Sequence, residues 1–132
     1  MSRLLTDLQP EIRTLVDAFL DACAAAGIDI LVTCTYRTNE DQTALYAQGR
    51  TAPGSIVTNA QAGQSAHNYR LAIDIVPMVN GKPDWEGSHP VWHQVGEIGM
   101  NCGLQWLGAP GTPFRELAHF QHPQWHTLAG VR

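Results

Sequence analysis

Apolar residues recur along the first quarter of the chain at helical spacing. Ile12, Leu15, Val16, Phe19, Leu20 and Cys23 form one stripe, Pro10 suits a first turn and Gly27 a stop, so the pattern predicts an amphipathic helix over residues 10–26. The period then changes. Ile28 to Tyr36 is β-branched and apolar enough for a buried strand. Asn39 is the expected cap of a short helix through Tyr46, ended at Gly49, and residues 50–66 are too rich in Gly, Ser, Thr, Ala and Asn for a regular element. The clearest strand is Leu71 to Val79, with Leu71, Ile73 and Ile75 on one face and Ala72, Asp74 and Val76 on the other. Asn80-Gly81 after it is a strong hairpin signal. Pro90 opens a helix to about Cys102, closed by Gly103. A turn-rich stretch leads to a short strand, His119-Phe120-Gln121, and Pro123 opens a last short helix. The expected fold is α+β: a small, mostly antiparallel sheet with packed helices.

Composition narrows the possibilities. The 132 residues, 44% hydrophobic and 15% charged, suit a single domain spanning 1–132 with one core. No repeat or linker marks a second unit, so no separate wall-binding module is expected. The net charge is −4 and no Lys/Arg stripe appears, which argues against a nucleic-acid partner. No apolar run approaches the roughly 20 residues needed to span a bilayer, so membrane insertion is not expected. The N-terminal Met-Ser-Arg-Leu-Leu-Thr-Asp turns polar too soon for a secretory signal. Cys23, Cys34 and Cys102 are widely spaced and odd in number, and read as buried free thiols rather than a disulfide framework or a thiolate metal site.

The chemistry concentrates in two places, Ser65 to Asp74 and Glu116 to His119. An acid inside an apolar strand is costly unless paired or bound to a cation, so Asp74 needs a partner, and Ala72 leaves space beside it. His67 lies seven residues earlier. In one extended strand the two side chains would be about 23 Å apart on opposite faces, so they share a cation only if the chain bends, with Asn68-Tyr69 as the bend. Glu116 and His119, three apart, would project to the same side of a helical turn. Spacing alone leaves open a second arrangement, in which the histidines are isolated and Asp74 pairs with Arg37 or Arg70. His122 and His126 read as surface or packing residues, with His122 a cap before Pro123, and His89 likewise caps the Pro90 helix. The four tryptophans read as core or rim, Trp106 and Trp125 being near enough to the second motif to line a cleft.

Ser65-x-His67-x-x-x-x-Ala72-x-Asp74, followed by Glu116-x-x-His119, resembles the signature of the D-Ala-D-Ala carboxypeptidase and L-alanyl-D-glutamate endopeptidase family of zinc peptidases. Gln42-x-x-Leu45-Tyr46-Ala47-Gln48-Gly49-Arg50-Thr51, Pro53-Gly54, Val57-Thr58 and Ser65-x-His67-Asn68-Tyr69 are similar to its phage endolysin branch, and Thr35-Tyr36-Arg37-Thr38 to that branch's Gly-Tyr-Arg-Ser segment. The resemblance spans about residues 30–121. It implies Zn²⁺ held by His67, Asp74 and His119, with Glu116 as the catalytic acid–base. It also implies Arg37 against a substrate carboxylate or carbonyl oxygen; Ser65 and Tyr69 are the further substrate-binding candidates. Two positions depart from the family: Arg70 stands where Gly is usual, at a place that can require positive φ, and Ala118 interrupts the usual acid-x-Pro-His context.

Two neutral imidazoles and one carboxylate leave zinc a net positive charge and an open position. The implied activity is hydrolysis of the L-Ala–D-Glu bond in peptidoglycan stem peptides by a monomeric phage lysis enzyme. Such an enzyme would be made in the host cytoplasm and released to the wall by another factor. The same chemistry suits a D-Ala-D-Ala carboxypeptidase. A non-catalytic wall-binding domain with a structural zinc is the alternative of a different class, and it leaves Glu116 without a use.

Overall fold

The computed structural model describes residues 1–131. Helix α1 is Pro10–Ala25, β1 is Asp29–Cys34 and α2 is Asn39–Ala47. A long loop leads to a single 3₁₀ turn, Ala66–Tyr69, and then to β2, Ala72–Val79. β3 (Lys82–Pro83), α3 (Pro90–Asn101), β4 (Gln105–Trp106), β5 (His119–Gln121) and α4 (Trp125–Ala129) complete the chain. The named strands pair antiparallel, in the order β1-β2-β5-β4, with β3 a hairpin continuation of β2. The α+β expectation holds.

The β2–β3 hairpin turns at Asn80 and Gly81, both at positive φ (53° and 76°), as a two-residue primed turn requires. β2 is buried on both faces. Ile73 and Ile75 point into the core with Phe120 of β5, against which Phe19 of α1 packs at 4.9 Å between ring centroids. Ala72, Asp74 and Val76 face the opposite side, and Asp74 is the only one of the three not buried. α3 lies close on the sheet because Gly96 and Gly99 leave space for the rings of Trp106 and Phe120.

Several local expectations are corrected. β1 is an edge strand, half-exposed along most of its length, not a buried one, and Leu31 faces solvent. Thr38 rather than Asn39 caps α2, because its hydroxyl accepts from the Asp41 amide while the Asp41 carboxylate accepts from the Thr38 amide. α4 begins at Trp125, two residues beyond Pro123, and the His122 imidazole caps the turn before it by accepting from the Gln124 amide. Glu116 and His119 share a tight turn rather than a helix, the His119 amide donating to the Glu116 carbonyl at 3.2 Å. Among the described residues, no helix is long and apolar enough to cross a membrane.

Candidate metal centre

The bend between the two halves of the first motif is built by the 3₁₀ turn. Ser65 caps it, its hydroxyl accepting from the His67 amide while the Asn68 side chain accepts from the Ser65 amide. The turn ends at Arg70 with φ 63° and ψ 33°, in the left-handed region where the family's usual Gly would sit without strain. The arginine is held there by its side chain, which stacks 3.9 Å over the Tyr36 ring and donates to the Asp7 carbonyl. It is therefore directed toward the N-terminal segment, and the expectation of Arg70 as a partner for Asp74 is corrected.

With the chain folded back, His67 Nε2 lies 3.0 Å from Asp74 Oδ1. His119 is paired directly opposite Asp74 across β2 and β5, and its Nδ1 lies 3.1 Å from the same oxygen. Two ring nitrogens thus face one carboxylate oxygen. The opposite edge of each ring is engaged elsewhere: His67 Nδ1 donates to the Thr35 carbonyl at 3.1 Å, and His119 Nε2 donates to Gln121 Oε1 at 2.8 Å. Each imidazole has therefore one nitrogen tied to the protein and one facing the shared Asp74 oxygen, the arrangement typical of metal-ligating histidines. The donor set fits a divalent cation with affinity for nitrogen and oxygen, zinc foremost.

The electrostatics follow from these short contacts. Burial alone would lower the His67 imidazolium, but the Asp74 carboxylate more than offsets this and pushes it up to about 10. Burial likewise would raise the Asp74 carboxyl, and the charges and hydrogen bonds of His67 and His119 hold it well below the usual carboxylate range. Arg37 Nη2 adds a contact at 3.5 Å to Asp74 Oδ2, while its Nη1 donates to Gln42 Oε1 at 2.9 Å. The pairing of Asp74 with Arg37 thus coexists with the convergence of the histidines.

Cys34, read from sequence as a buried free thiol, also lies here. A shift of register between Val32 and Cys34 sets it opposite Asp74, and Cys34, His67 and Asp74 offer atoms within 4.8 Å of one another. Its sulfur, however, faces His67 Nδ1 at 3.7 Å, the nitrogen that donates to Thr35. Cys34 therefore stands behind the His67 ring, whereas His119 Nδ1 stands in front of it with Asp74.

The three side chains form the floor of a cavity of about 650 Å³, whose walls include Arg37, Ser65, Glu116, Phe114, Trp125 and His126. Glu116 is half-buried. Burial raises its carboxyl and Asp74 adds to that, while His119, His67 and Arg37 act in the opposite sense. A carboxylate poised this way suits general acid–base work. Its loop is fixed from behind, since the Trp106 indole donates to the Leu117 carbonyl at 2.8 Å and the Glu116 amide to the Leu107 carbonyl.

Tyr69 does not line the cavity. Its hydroxyl donates to the Gly63 carbonyl at 2.7 Å and its ring stacks on Trp125, one of the residues of the cavity wall. Residues to which the sequence reading gave no role include Gln42, fully buried, which joins Arg37 to the Ala60 carbonyl, and Gln121, whose position two after His119 on one strand was the available signal. Arg50, stacked on Tyr46 and donating to the Thr58 carbonyl, gives the Leu45 to Thr51 stretch a physical role in shaping the loop along the cavity.

A histidine–aspartate–histidine floor on an antiparallel sheet, with an acid on the wall above it, defines a metallopeptidase-like class. A family model described as VanY, D-alanyl-D-alanine carboxypeptidase, matches residues 5–127, and the chain belongs to this family of peptidoglycan peptidases. The Bacillus subtilis (strain 168) protein described as peptidoglycan L-alanyl-D-glutamate endopeptidase CwlK is 36% identical over 124 residues, covering 88% of this chain and 74% of that protein. The structure of the Serratia marcescens L-Ala D-Glu endopeptidase ChiX is similar with a TM-score of 0.70 at 18% identity, over 91% of this chain and 84% of that one. A vancomycin-resistance D,D-pentapeptidase, VanY E175A in complex with Zn(II), is similar with a TM-score of 0.63 at 20% identity, over 94% of this chain and 80% of that one. At these identities the two structures show the shared fold.

Proposed function

We propose that this protein is a zinc peptidase that hydrolyses the L-Ala–D-Glu bond of peptidoglycan stem peptides. The observation that carries the reading is the convergence of His67 Nε2 and His119 Nδ1 on one Asp74 oxygen, at the floor of a cavity walled by Glu116 and Arg37. His67, Asp74 and His119 would hold the zinc, which supplies a Lewis acid able to polarise a carbonyl and acidify water. Glu116 takes the proton of the attacking water and returns it to the leaving amine, a role that its half-buried, upward-shifted carboxyl supports. Arg37, fixed by Gln42 and Asp74, binds the D-Glu α-carboxylate beside the scissile bond, for which a planar guanidinium is suited. Ser65 keeps a hydroxyl hydrogen for substrate while its oxygen caps the 3₁₀ turn.

The likeness to CwlK supports internal cleavage over removal of terminal D-Ala, and the Leu45 to Thr51 resemblance supports a phage lysis enzyme. That role entails a monomer made in the host cytoplasm and delivered to the wall by another factor. The test is mass analysis of fragments released from purified peptidoglycan. New peptides beginning with D-Glu are expected. Free D-Ala released from pentapeptide stems, with no new N-terminal D-Glu, would replace the endopeptidase with a carboxypeptidase.

A further inference from the structure

The two candidate histidines are oriented by different means. His67 is held by a backbone carbonyl, that of Thr35, which no side-chain substitution removes. His119 is held by a side chain, and that side chain is itself held. Gln121 Oε1 accepts from His119 Nε2 at 2.8 Å, while Gln121 Nε2 donates to Gln105 Oε1 at 3.0 Å. Strand register explains the alignment: His119 and Gln121 are two apart on β5 and share a face, and Gln105 of β4 is the direct partner of Gln121. Across β2, Asp74 lies opposite His119 and the small Ala72 opposite Gln121, so the relay runs along the sheet face toward the cavity.

Resting on the zinc site proposed above, we infer that Gln121 and Gln105 are positioning residues that fix the His119 tautomer and ring orientation for metal binding. The chemistry dictates the amide orientation. A cation at His119 Nδ1 leaves the ring proton on Nε2, and of the two ends of an amide only the oxygen can accept it. Gln121 must then present Oε1 to His119, which turns its amide nitrogen toward Gln105, and Gln105 must answer with its own oxygen. Each amide therefore has one useful orientation, set at Gln121 by the His119 ring proton and answered at Gln105. β4, only two residues long, thus serves both sides of the sheet: Trp106 holds the Glu116 loop from one face and Gln105 holds the His119 relay on the other.

The test is zinc affinity of the full chain, measured by competition with a chromophoric chelator, together with long-range ¹H–¹⁵N spectra of the histidines. Gln121→Ala is expected to weaken zinc binding about 10–100-fold, the usual effect of removing such a partner, and to lose the protected His119 Nε2–H signal. Gln121→Glu keeps an acceptor of greater basicity and is expected to bind zinc at least as tightly as the parent, with that signal retained. Gln105→Ala is expected to weaken binding by less than about tenfold, because water can replace the outer acceptor. Wild-type zinc affinity in Gln121→Ala, or a Gln121→Glu variant as weak as Gln121→Ala, would overturn the relay. Unchanged zinc affinity with an altered KM would make Gln121 a substrate contact instead. Absence of zinc binding in the parent chain would remove the metal site itself, a result separable from all the others.

Discussion

Gly96→Ala tests how the fold positions Glu116 without touching the cavity. A Cβ at residue 96 would lie 2.3 Å from Trp106 Cε3 and 2.4 Å from Cδ2 and Cζ3, where an unstrained carbon contact needs about 3.5–4.0 Å. The ring cannot simply retreat. A Cβ at Gly108 would lie 2.5 Å from Trp106 Cε2, so the indole is pressed from that side as well, and Phe120 stacks nearby. Overpacking of this kind costs about 1–3 kcal/mol. Loss of the indole hydrogen bond to the Leu117 carbonyl adds about 1 kcal/mol, and the helix preference of Ala over Gly returns about 1 kcal/mol. The net expectation is a loss of about 1–3 kcal/mol in urea denaturation. Displacement of the Leu117 carbonyl moves its neighbour Glu116, and a misplacement of about 1 Å can cost as much as 10²-fold in rate. Zinc content is expected to remain at the parent level while turnover falls 10–100-fold. A Gly96→Ala protein more stable than the parent, as helix propensity alone would give, or one with unchanged turnover, would refute the reasoning.

Arg70→Ala keeps the left-handed backbone but loses the stack on Tyr36, whereas Arg70→Gly removes the strain; Gly should exceed Ala in stability by about 1 kcal/mol, read by thermal denaturation. In the metal-free protein the His67–Asp74 pair stabilises most between about pH 4 and 6.5. The His67 contribution is full below its unfolded value and is lost as pH rises through about 10, while that of Asp74 is lost as the solution turns acid. Zinc must displace the His67 proton, so zinc affinity should rise as metal-free stability falls, by about tenfold per pH unit for one proton, measurable by chelator competition from pH 6 to 8. Arg37→Lys should be strongly impaired in wall cleavage despite retaining charge, because the fork that serves Gln42 and Asp74 together is lost.

Much of this was legible in the residue pattern. The α1 stripe, the Asn80-Gly81 hairpin and the α3 start at Pro90 follow from periodicity and turn chemistry, and they appear as expected. The need for a bend between His67 and Asp74 also follows from strand geometry, since seven extended residues cannot bring both to one point. What could not be read was the side-chain environment set by register. Cys34 reaches the site only through a shift of register in β1, and Gln121 meets Gln105 sixteen residues away, a pairing visible only once β4 is placed. Tyr69 and Arg70 show the converse, since residues inside a motif can point away from the cavity when a 3₁₀ turn reverses the chain. The edge character of β1 was hidden because Ile30, Leu31 and Val32 have strand propensity whether or not a neighbour covers them.

The most direct test of the metal assignment is zinc per chain, by elemental analysis of the purified parent and of His67→Ala, Asp74→Ala, His119→Ala, Glu116→Gln and Cys34→Ala. The parent should carry about one zinc; the first three variants should lose it, and Glu116→Gln and Cys34→Ala should keep it. Stoichiometric zinc in His119→Ala together with its loss in Cys34→Ala would place the metal behind His67, among Cys34, His67 and Asp74, and contradict the account.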